Sequence, residues 1–114
     1  MRTILLLALI PSLIHATNWP AWRGPNGDGV TSETELPLAF SATEGVKWKI
    51  ALPEPGNSTP IVWGERIFLT QPAGAKRTLM CLDRKDGRIL WQHGPEVAGK
   101  EPTHGTNPFC AGSC

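Results

Sequence analysis

Between Asn57 and Gln92 short apolar runs alternate with turn residues, and the stretch NSTPIVWGERIFLTQPAGAKRTLMCLDRKDGRILWQ predicts four antiparallel strands. Thr59 to Trp63 is the first. Gly64-Glu65 has the form of a two-residue hairpin loop, with glycine at the first central position. Arg66 to Thr70 returns with Ile67, Phe68 and Leu69, a continuous apolar run expected where both faces of a sheet are covered. Gln71 to Lys76 contains Pro72 and Gly74 and reads as a connector to a third strand, Arg77 to Leu82. Asp83 to Gly87 predicts a tight hairpin with Asp86-Gly87 as its positive-φ pair. Arg88 to Gln92, holding Trp91, is the fourth strand. The fold class is all-β, a four-stranded antiparallel meander whose two apolar faces each need a neighbour.

The flanks are organised differently. Val46 to Ala51 alternates Val46, Trp48 and Ile50 with Lys47 and Lys49, the period-two pattern of a half-buried strand. Thr17 to Val30 is aromatic and then turn-rich, with Asn26-Gly27 and Asp28-Gly29 as turn dipeptides. A calcium loop there would lack its further acidic ligands and its closing glutamate. Trp19, Trp22 and Arg23 are expected to pin this segment to a sheet surface, with Arg23 over an aromatic face as one option. Thr31 to Glu44 is loop-like, and Pro37 disfavours a helix there.

Met1 to Ala16 has the pattern of a secretory signal peptide: Arg2, an apolar stretch from Ile4 to Ile10, and small Ala16 before the cleavage point. Its apolar stretch is too short to cross a bilayer, which takes about 20 residues. The organisation predicted is a signal peptide over 1–16, a Trp/Gly-rich lead-in over 17–45, the sheet unit over 46–93, and over 94–114 a loop with the truncated start of a second unit.

Composition narrows the function classes. The 114 residues are 40% hydrophobic and 18% charged, with 12 Gly and 11 Pro, which favours turns and β-structure over a helical bundle. The formal charge of +1, with Lys and Arg scattered along the chain, gives no case for nucleic acid or an anionic membrane as a partner.

At NSTPIVWGERIFLT and MCLDRKDGRILW the residues resemble the pyrroloquinoline-quinone-like (PQQ-like) repeat of bacterial β-propeller proteins. That repeat closes on a pattern like A-x-D-x-x-T-G-x-x-x-W. Cys81, Asp83, Gly87 and Trp91 stand at its alanine, aspartate, glycine and tryptophan positions, with Asp86 where threonine is usual. The lead-in NWPAWRGPNGDGV and the tail HGTNPFCAGSC are similar to an N-terminal signature and a second-blade entry of exported proteins of this kind. The resemblance implies one propeller blade, the first of several, with Asp83, Asp86 and Gly87 shaping the hairpin and Trp91 docking between blades. Trp48 and Trp91 are read as structural packing residues rather than substrate stackers.

Catalytic signals are sparse. There is no G-x-S-x-G, no G-x-G-x-x-G, no phosphate loop and no C-x-x-C-H. The adjacent cysteine pair of true quinoprotein dehydrogenases is also missing, so no catalytic, cofactor-binding or metal residue is assigned and no cofactor is expected. Cys110 and Cys114 are a candidate disulfide in an exported chain. A zinc site using them with His104 and Cys81 is the weaker alternative, because the spacing lacks a second pair. Unpaired thiols, buried or exposed, stand ahead of both readings, and a disulfide between chains stays open beside the Cys110–Cys114 pair. The expected function is a non-enzymatic periplasmic or secreted scaffold or binding module, present as an N-terminal fragment. Its partners would be the remaining blades or other envelope proteins. The alternative is part of a quinoprotein-type oxidoreductase whose catalytic residues lie in missing blades.

Overall fold

The computed structural model describes residues 17–99 and 101–112. The expected signal peptide, over residues 1–16, lies outside them. The described chain is all-β, and no helix occurs among the described residues. Four strands, β1 (Ile61–Trp63), β2 (Arg66–Ala73), β3 (Lys76–Asp83) and β4 (Ile89–His93), form one antiparallel sheet in the order β1-β2-β3-β4.

The register sorts the side chains onto two faces. Ile61, Phe68, Cys81 and Trp91 stand opposite one another in a row across all four strands. Thr70, Leu79 and His93 form the next row on that side. The other face carries Val62, Ile67 and Leu82, then Leu69 and Met80. Leu69, Met80 and Leu82 are the buried core, with Ile50 and Ile67 packed against them. A polar line crosses the sheet beside it. Gln92 Nε2 donates to Thr78 Oγ1 over 2.7 Å, Thr78 Oγ1 donates to the Gln71 carbonyl over 2.5 Å, and Gln71 Nε2 donates to the Glu54 carbonyl. Among the described residues no buried side-chain nitrogen or oxygen lacks a partner, as burial requires.

The lead-in covers the core face without becoming a strand. Val46 to Ala51, expected as one, has no ladder partner. Its alternation instead reflects docking by side chain: Trp48 and Ile50 turn inward while Lys47 and Lys49 stay exposed. Trp48 Nε1–H donates to the Arg84 carbonyl over 2.9 Å, and its ring lies against Gly87. Further upstream, Trp19 exchanges both backbone hydrogen bonds with Val62, at 2.9 and 2.8 Å, and Asn18 Oδ1 accepts the Gly64 N–H. Trp22 departs from expectation: it is exposed, its only described ring contact being the Arg23 guanidinium 5.2 Å from its centroid.

β2 and β3 are longer than the sequence pattern indicates. The expected connector from Gln71 to Lys76 shrinks to the two-residue turn Gly74-Ala75, and Pro72 lies inside β2, opposite Arg77. The reason is positional. β1 reaches only to Phe68, so β2 is the sheet edge beyond it. Thr70 sends its N–H outward to Ser58 Oγ, 2.9 Å away, and Gly74 sends its own to Glu54 Oε1 at 2.6 Å. Pro72, between them on the same side, has no N–H that would need a partner.

The β3–β4 hairpin also differs in detail. Gly87 alone takes a positive φ, of 74°, and its N–H closes onto the Asp83 carbonyl at 2.9 Å. Asp86 contributes its side chain instead, Oδ1 accepting the Arg88 N–H at 2.9 Å. After β4 the chain keeps pairing with β3: Arg77 N–H donates to the Pro95 carbonyl and Val97 N–H to the Ala75 carbonyl, both at 3.0 Å. This continuation forces Gly94 against β3, where a Cβ would collide with the Arg77 carbonyl and the Thr78 Cα.

Two substitutions test this packing. Gly94→Ala is expected to destabilise the chain by about 1–3 kcal/mol, the usual range for overpacking. Gly87→Ala adds a left-handed backbone cost of about 1–2 kcal/mol and displaces Trp48 from its seat. Urea unfolding followed by tryptophan emission reads both, and midpoints equal to the parent's would show that these close approaches are absent.

Candidate functional site

Two places on the blade offer chemistry or recognition. The first is an open groove of about 450 Å³ at the Ala73–Lys76 end of the sheet, lined by Thr70, Arg77, Leu79 and His93 from the strands and by Phe109 and Cys110 from the tail. Arg77 organises it. The Nε and one terminal nitrogen lie 2.7 and 2.6 Å from Glu101 Oε2, and the other terminal nitrogen reaches the Gly74 and Lys76 carbonyls at 3.1 Å. The guanidinium also lies 3.7 Å from the centroid of the Phe109 ring, a close cation–π contact. Each of its three nitrogens has a protein partner, so its charge is directed inward, to hold the tail, rather than toward a ligand.

Thr70 completes that attachment. Its hydroxyl lies 3.3 and 3.0 Å from the carbonyls of Cys110 and Gly112, and Asn57 Nδ2 donates to the Thr106 carbonyl over 3.2 Å. The stretch from Thr106 to Gly112 is thereby laid along the edge of the sheet, and Cys110 takes a φ of 57°. Cys81 is buried and Cys110 is half-buried. Cys114, and with it the expected Cys110–Cys114 disulfide, lies outside the described residues. His104 does not line the groove; its Nδ1 is 2.9 Å from Thr106 Oγ1. Among the described residues no three His, Cys, Asp or Glu side chains converge as a metal site would require.

The second place is the sheet face opposite the core. Phe68 and Trp91 sit 6.1 Å apart, tilted by 51°, across the buried Cys81, and Trp91 is 6.2 Å from His93. Leu79 and Trp91 are both exposed on this side, Trp91 by 40%. A contiguous apolar surface of this kind marks an interaction site more often than a catalytic one.

The residues singled out in the sequence divide between the hairpin and this face. Asp83 Oδ1 accepts the Lys85 N–H at 2.9 Å while Oδ2 stands 4.0 Å from Arg66 and 3.9 Å from Arg88. Asp83, Asp86 and Gly87 shape the turn, and Trp48 lies on it. Trp91 is separate, on the open face. A family model described as outer membrane protein assembly factor BamB matches residues 30–107. The chain belongs to this family of PQQ-like repeat proteins. Neither the curated proteins nor the solved structures gave a match. In a PQQ-like repeat protein a single meander of this form is one propeller blade, and the matched stretch holds the whole sheet.

Arg77 and Glu101 carry no motif, and nothing in the repeat-like stretches holding Thr70 and Phe109 signals that the four associate. The one local hint was Gly94-Pro95 directly after β4, a break that lets the chain bend while still pairing with β3. Arg77→Ala is expected to cost about 1–2 kcal/mol, discounted for the partial exposure of Glu101, and to free the tail. Faster amide exchange over residues 101–112, with β3 unchanged, would show this; unchanged exchange would place the tail's anchor elsewhere.

Proposed function

We propose that this PQQ-like repeat chain is an exported, non-enzymatic scaffold or binding module of the bacterial envelope, acting by stacking its open sheet face on another PQQ-like blade. The observation that carries this reading is the apolar row of Phe68 and Trp91, flanked by exposed Leu79. Two further features support it. The tail from Phe109 to Gly112 is already anchored at the end of this face through Thr70 and Arg77, which leads the chain toward it. The family description names an outer membrane assembly factor, in keeping with the export pattern of Met1 to Ala16.

On this reading 17–45 is a lead-in, 46–93 is the blade, and residues 94–114 lead into the next unit. Trp91 is the inter-blade anchor, while Trp48, Asp83, Asp86 and Gly87 are structural. The partners are other blades or envelope proteins, and the location is periplasmic or secreted. No described helix is long and apolar enough to cross a membrane.

The test joins two copies of the chain through a flexible linker. Stacked blades stabilise each other through their interface, so the tandem is expected to unfold at higher urea than the single chain. Trp91→Ala in the first copy should remove the gain, at a cost of about 3–5 kcal/mol. Two copies that unfold independently at the single-chain midpoint would refute blade stacking. Export is checked separately: the protein recovered from the periplasm should begin at Thr17, and an uncleaved cytoplasmic chain would count against it.

A further inference from the structure

The cations that are scattered in the sequence are gathered by the fold. The Gly64-Glu65 turn and the β3–β4 hairpin lie side by side at one end of the sheet, tied by the Arg84 N–H to the Glu65 carbonyl at 3.1 Å. Docking of Trp48 on that hairpin brings Lys47 and Lys49 to the same end. Arg66 and Arg88 flank Asp83 there, and Arg84 and Lys85 form the hairpin itself. Six cations thus meet three carboxylates, Glu65, Asp83 and Asp86, on a chain whose total charge is +1.

Of the three carboxylates only Asp83 is turned in, while Glu65 and Asp86 are exposed. Asp83 Oδ1 and Asp86 Oδ1 each accept a backbone N–H of the turn, and the Asp83 side chain is only 21% exposed. Lys47, Lys49 and Lys85 are exposed, and the Arg88 side chain is 68% exposed. Trp63, next to the Gly64-Glu65 turn, leaves its indole 60% exposed at the rim of this surface.

We propose that this hairpin end of the blade is a contact surface for an anionic phospholipid bilayer. Exposed lysines and arginines in excess over the carboxylates beside them suit a diffuse plane of negative headgroups, to which each cation near the surface adds attraction. An exposed indole beside them suits the headgroup level of the membrane. The whole-chain charge conceals this because the remaining residues are net acidic. The inference does not rest on blade stacking, which uses the broad face of the sheet rather than its end.

The test is flotation of the full chain with vesicles of phosphatidylcholine alone or with about a third phosphatidylglycerol. Binding is expected only to the anionic vesicles, with loss in 0.5 M salt, where the screening length falls to about 4 Å. Trp63 emission should shift to shorter wavelength on binding, and Trp63→Phe should remove that change. The triple variant Lys47→Ser, Lys49→Ser, Lys85→Ser should weaken binding at least about tenfold, while Lys76→Ser at the opposite end should leave it unchanged. Circular dichroism of each variant separates loss of fold from loss of binding. Absence of binding at low salt, equal binding to neutral vesicles, or a folded triple variant that binds like the parent would overturn the proposal.

Discussion

A sheet with apolar side chains on both faces needs two covers, and the described residues supply one. Trp48 laid against Gly87, with its indole N–H on the Arg84 carbonyl, fixes that cover in place and brings Ile50 onto Leu69, Met80 and Leu82. The same contact decides what is left open. Once the lead-in occupies the core face, Phe68, Trp91 and their neighbours face outward, and the hairpin end collects the lysines on either side of Trp48. Packing, recognition surface and charge distribution therefore share one local cause.

The sheet behaves as two regions of different character. Its middle is closed on one face by the core, beside the polar line from Gln92 through Thr78 to Gln71, in which buried side-chain polar atoms find their partners. Its ends are held by side chains reaching across long sequence separations, Asn18 at one end and Arg77 with Glu101 and Phe109 at the other. Such contacts are individually modest, yet they fix where the lead-in and the tail run, and so which surface a neighbour meets.

The four strands and their hairpins were legible because Gly and Asp dipeptides punctuate apolar runs with few alternatives. Where the reading failed, tertiary context had displaced a local rule. Pro72 looked like a strand breaker, but its missing N–H falls on an edge where nothing would pair with it. Val46 to Ala51 has a strand's alternation, yet the alternation serves docking by Trp48 and Ile50, and no backbone partner is within the sheet. Asp86 was paired with Gly87 as a positive-φ residue, whereas its carboxylate caps Arg88. The groove could not be read at all, since Arg77, Glu101 and Phe109 meet only after the chain has turned at Gly94.

The central claim is that one face is closed by Trp48 while the other is open at Trp91. Proton NMR of the five indole N–H groups in the monomer, with and without a soluble paramagnetic agent, addresses it most directly. Slow exchange and little broadening are expected for Trp48, and strong broadening for the Trp91 ring. A shielded Trp91 together with a freely exchanging Trp48 would contradict it, because the closed and open faces would then be reversed.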